Sequence, residues 1–96
     1  MKTTETIVRN VCTKTEFLST LKAMDALKAD GFAILFTGSY DTPEGVVHMT
    51  GGDYIDHDQT TVTVQWEHKF YTIPWGQFNV NGPEPRYAEI YFRFTV

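Results

Sequence analysis

The sequence predicts an α+β domain: one helix, about residues 14–29, packed on a mainly antiparallel twisted sheet of about five or six strands. Three observations predict it. Thr13-Lys14-Thr15-Glu16 has the form of a capping box and leads into apolar residues at helical spacing. Residues 60–66 and 86–96 alternate apolar and polar side chains, the period of a strand with one covered face. Turn-forming residues punctuate the chain between these runs, at 38–45 and at Gly51-Gly52.

Taken in order, residues 5–11 (ETIVRNV) read as a strand. In the helix, Phe17, Leu21, Met24 and Leu27, with Leu18 beside them, share one face, while Lys14, Lys22, Asp25 and Lys28 fall mostly elsewhere. Gly31 is the expected left-handed stop. FAILFT (32–37) is a continuous apolar run bounded by glycines, which predicts a central strand covered on both faces. The helix face is expected to pack on it and on Ile90, Phe92 and Phe94.

GSYDTPEG (38–45) reads as a turn, and VVHMT-GG-DYIDH (46–57) as a hairpin with Gly51-Gly52 at its tip. TTVTVQW (60–66) and KFYTIPW (69–75) form a pair joined at Glu67-His68, with Pro74 marking an end or an edge. QFNVNGPEP (77–85) reads as loop. In 86–96, Ala88, Ile90, Phe92, Phe94 and Val96 share one face, and Tyr87, Glu89, Tyr91, Arg93 and Thr95 the other. Residues 1–96 are expected to form one domain with a modest core.

The net charge of −4 is concentrated in one window. Asp41, Glu44, Asp53, Asp56 and Asp58 occur with no Lys or Arg between residues 41 and 58. Such a patch attracts cations and basic protein surfaces and disfavours nonspecific nucleic-acid or anionic-membrane binding. A single cysteine, Cys12, excludes an intrachain disulfide. No apolar run reaches the length of a membrane span, and the start has no apolar signal region. The expectation is a soluble, cytoplasmic protein with no cofactor.

Four constellations carry candidate chemistry. A Gly51-Gly52 hairpin would pair His48 with Ile55 and bring His48, Asp53 and His57 within reach of one another, a candidate metal or acid-base site. The plainer reading is a solvated acidic hairpin whose carboxylates, exposed, add little to stability. Cys12 precedes the helix cap, where a dipole can lower a thiol pKa, but it reads first as a small buried residue at a strand–helix junction, and Ser39 lies outside any nucleophile elbow. Tyr87, Tyr91 and Arg93 form an outward row of interface-prone residue types. Trp75 is expected to plug the core; the alternative is an aromatic pocket with Tyr71 and Phe78, and a small cationic or aromatic ligand would draw on Tyr40, Tyr54, Trp66, Tyr71 or Trp75.

These observations favour a small non-enzymatic binding protein that occupies a protein partner with a basic surface: an inhibitor, an immunity-type protein, or a phage or mobile-element accessory factor. The partner-facing residues are then the five acids with Tyr87, Tyr91 and Arg93. The alternatives are a small-ligand binder and a metal-dependent enzyme centred on His48, Asp53 and His57. If residues 86–96 form an edge strand, a homodimer through that strand is expected.

Overall fold

The computed structural model describes residues 2–78 and 86–96. The elements run β1 (Thr4–Val11), α1 (Lys14–Ala26), β2 (Gly31–Thr42), β3 (Gly45–His57), β4 (Thr61–Trp66), β5 (Lys69–Pro74), a 3-10 turn (Trp75–Gln77) and β6 (Tyr87–Thr95). The strands form one antiparallel sheet in the order β1-β6-β2-β3-β4-β5. One helix lies against one face, so the fold is α+β as the sequence predicts. Residues 79–85 of the expected loop lie outside the described residues.

The helix starts where its cap chemistry places it. Thr13 is the N-cap, its Oγ1 accepting from the Glu16 amide at 3.1 Å and its hydroxyl donating to the Glu16 carboxylate at 3.2 Å. The helix is shorter than expected and ends at Ala26, because Lys28 (φ 54°) supplies the left-handed residue instead of Gly31. Phe17, Thr20 and Met24 are buried, Leu18 and Leu21 pack at the margin, and Leu27 is exposed beyond the last turn. Thr20 is accommodated because its hydroxyl donates to the Glu16 carbonyl at 2.8 Å.

Phe17 is the centre of the core. Its ring is fully buried and lies 5.2 Å from Trp75, 5.5 Å from Tyr54 and 5.9 Å from Phe36. Beneath it the sheet contributes Ile34, Phe36, Val62, Val64, Ile73, Ala88, Ile90 and Phe92. These are the inward positions of the alternating runs, as period 2 requires.

Three expectations are corrected. First, β2 continues through Gly38 (φ 139°) to Thr42, and it is covered on one face only. Ile34 and Phe36 are buried, but Ala33 is exposed and Phe32, beyond the helix end, is 63% exposed.

Second, Gly51-Gly52 is not a turn. The β2–β3 hairpin closes instead at Thr42–Gly45. Gly51 (φ 82°) is the extra residue of a bulge, since Thr50 pairs with Thr37 and Gly52 with Phe36. Gly52 lies in the core layer, where a Cβ would stand 2.8 Å from Val64 Cγ1 and 2.9 Å from Met49 Sδ.

Third, residues 86–96 are not an edge. β6 pairs with β1 on one side and β2 on the other, so its ladder has no free side for a dimer through 86–96. The edges are β1 and β5. Trp75, Tyr71 and Phe78 are 7%, 9% and 8% exposed and form the core plug expected around Trp75.

Candidate functional site

Among the described residues the antiparallel sheet has a helix on one face only, and nothing covers its other face. The strand register defines that face. One row crosses all six strands: Asn10, Glu89, Leu35, Asp53, Gln65 and Phe70 are successive partners. The adjacent row begins Val8, Tyr91, Ala33. Val8 is 56% exposed and Phe70 65%, so apolar side chains stand in solvent in the same plane as carboxylates.

Ile55 and Asp56 belong to a second bulge, between Tyr54 opposite Val64 and Asp56 opposite Thr63, and both are exposed. Beyond Thr37 and Thr50, β2 and β3 pair only with each other and extend the open face as a ribbon bearing Ser39, Asp41, Val46 and His48. Asp41 is anchored there by Gln77. The Gln77 amide donates to the Asp41 carbonyl and its oxygen accepts from the Asp41 N–H, both at 2.7 Å, which substitutes for a strand partner.

The partner-facing candidates fall into two groups. Asp41, Asp53 and Asp56 stand on the open side, and Glu89, which the sequence reading leaves out, joins them. Tyr87 and Tyr91 both donate to the Glu89 carboxylate, and this bond holds the Tyr91 phenol above its usual range. Arg93 lies 3.3 Å from Asp30 and packs across Gly31, where a Cβ would meet Arg93 Nε at 2.7 Å. Thr6, Ala33, Tyr91 and Arg93 line a shallow groove of about 450 Å³ on this face.

Glu44 and Asp58 lie in the turns that flank β3. Glu44 sits at the β2–β3 hairpin tip, 3.8 Å from Lys69 Nζ. Asp58 organises the β3–β4 turn: its Oδ1 accepts from the Thr60 and Thr61 amides at 2.8 and 2.7 Å and from both hydroxyls at 3.1 Å. Its carbonyl accepts from Trp75 Nε1 at 2.9 Å, tying the turn to the core plug. These bonds set Asp58 apart from the exposed carboxylates that are expected to add little to stability.

The amide bonds at Asp58 hold its carboxyl below the usual range. A depressed folded pKa contributes stability that is present above the unfolded value, about pH 4, and is lost as pH falls through the folded one. Asp58→Ala is expected to lower the melting temperature at pH 7. The gap from wild type should narrow in melts taken at about pH 3 and below. A gap independent of pH would mean that the carboxylate charge has no part in the turn.

The structure does not bring His48, Asp53 and His57 together. His48 and His57 occupy one strand, nine residues apart or roughly 30 Å, and face opposite sides of the sheet. His48 Nδ1 lies 2.5 Å from Ser39 Oγ on the open side. His57 Nδ1 lies 2.5 Å from Tyr54 Oη, its ring edge-on to both Phe17 and Trp75. Among the described residues no three His, Cys, Asp or Glu side chains cluster to hold a metal.

The aromatic candidates also part. Tyr40, Tyr71 and Trp75 are core, and Tyr54 is half-buried against Phe17. Burial pushes the Tyr40 phenol well up, and its hydroxyl donates to the Thr37 carbonyl at 3.0 Å. Burial and the Glu16 carboxylate raise the Cys12 thiol, the direction opposite to activation.

Among the described residues no helix is long and apolar enough to cross a membrane. No protein-family model, curated protein or solved structure matches this chain.

Proposed function

We propose that this chain is a small non-enzymatic binding protein that acts by laying its open sheet face on a basic surface of a protein partner. An inhibitor, an immunity-type protein, or a phage or mobile-element accessory factor would act in this way. The observation that carries the reading is the composition of that face. Asp41, Asp53, Asp56 and Glu89 stand on it among exposed Val8, Ala33, Val46, Ile55 and Phe70. Arg93 is the one cation among the described outward strand positions, and it is committed to Asp30. The helix, on the opposite side, carries Lys14 and Lys22, and Lys28 follows just past its end.

A face of apolar side chains interleaved with charge of one sign supplies desolvation energy and orientation together. Tyr87 and Tyr91, held by Glu89, add rigid aromatic area at low entropic cost.

The test uses the protein as bait and compares wild type with Asp53→Lys/Asp56→Lys. The expected result is a basic partner that wild type retains, that salt elutes, and that the double variant retains at least tenfold less. These residues are exposed, so the melting temperature should change little. Equal retention of the partner by both baits would place the working surface elsewhere.

A further inference from the structure

The β1 edge carries a pattern that the open face does not explain. Thr3 and Val96 exchange both backbone hydrogen bonds, at 3.1 and 2.9 Å. In an antiparallel ladder the bonded pairs alternate, so Thr3, Glu5, Ile7, Arg9 and Val11 direct their N–H and C=O groups at β6. Thr4, Thr6, Val8 and Asn10 direct theirs outward, where no described strand pairs with them. This edge is eight residues long and contains neither Lys nor Pro. The opposite edge, β5, is guarded by both, in Lys69 and Pro74.

Side-chain charge then selects a register. Glu5 and Arg9 stand two residues either side of Ile7, and no ion pair engages either among the described residues. We infer that two copies of this chain pair through β1 about a twofold axis centred on Ile7, each Glu5 facing the Arg9 of the second copy.

In that register Thr4 meets Asn10 and Thr6 meets Val8 of the other chain. All of these are residues with outward backbone groups. The four pairs exchange about eight hydrogen bonds. Ile7 meets Ile7, and Glu5 meets Arg9 twice, at the closer, non-bonded positions. Moving the centre to Thr6 or Val8 keeps the backbone parity but opposes Glu5 or Arg9 to Ile7 and leaves bonding groups unused. A twofold axis normal to the sheet keeps both helices on one side. The result is a continuous twelve-stranded sheet whose open faces adjoin, a surface with two copies of the site.

Light scattering from about 5 to about 200 micromolar tests this. Wild type should approach twice the 11.0 kDa chain mass. Glu5→Arg alone and Arg9→Glu alone should each dissociate at least tenfold more readily, since like charges then face each other. An equimolar mixture of the two variants should regain the dimer mass. One chain then carries two positive charges at these positions and the other two negative, so both cross-chain contacts pair opposite signs again. Misfolded chains would not re-pair, so the mixture separates a lost contact from a lost fold. Val8→Pro removes one outward donor and none directed at β6, and it should also give monomer with an unchanged circular dichroism spectrum. Wild type that stays monomeric at about 200 micromolar overturns the proposal. So does a dimer mass that neither Arg9→Glu nor Val8→Pro alters.

Discussion

Phe17→Ala is expected to lower the free energy of unfolding by about 3–5 kcal/mol, the largest loss from any single helix residue. The ring is fully buried and touches both layers, meeting Phe36 and Tyr54 of the sheet and the Trp75 plug. Truncation leaves a void that those rings cannot fill without leaving their own contacts. Leu21, on the same helix but only partly buried, should lose less when truncated. Urea denaturation of the two variants checks the order. A smaller loss for Phe17→Ala than for Leu21→Ala would mean that the helix is rotated about its axis.

Gly52→Val is expected to cost about 1–3 kcal/mol or more, through overpacking. Any Cβ at Gly52 meets Val64 and Met49 at under 3.0 Å, and valine adds two further methyl groups to the same space. Gly51→Ala provides the contrast. There is open space around Gly51, but its φ of 82° disfavours a side chain, so the cost is backbone strain of about 1 kcal/mol. Adjacent glycines are thus needed for different reasons. If Gly51-Gly52 were a hairpin tip, strain alone would govern both, and Gly52→Val would leave the packing of Val64 untouched. Melting curves of the two variants separate these cases.

The pair also shows where sequence reasoning reached and where it stopped. The helix was legible because Thr13 and Glu16 cap it locally and Phe17, Leu18, Leu21 and Met24 repeat at its own period. The inward face of β6 was legible because Ala88, Ile90, Phe92 and Phe94 alternate without interruption. Gly51-Gly52 misled because a bulge and a turn draw on the same chemistry. The choice between them depends on the distant chain Val64, which packs on Gly52.

The open face was half legible. Alternation told that Tyr87, Tyr91 and Arg93 lie opposite the core residues. It could not tell that Glu89, Leu35, Asp53 and Phe70 stand in one row, because strand order is decided by long-range packing. The metal hypothesis rested on the misplaced hairpin. Because β3 continues through the glycines as a bulged strand, His48 and His57 fall on opposite faces.

The central claim is that the uncovered sheet face is the working surface. Backbone amide chemical shifts of the labelled protein, titrated with the partner that wild-type bait retains, test it most directly. The account predicts that perturbations concentrate at Val8, Ala33, Leu35, Asp53, Phe70 and Tyr91. Perturbations confined to helix α1 and the β3–β4 turn, with the open face unchanged, would contradict it.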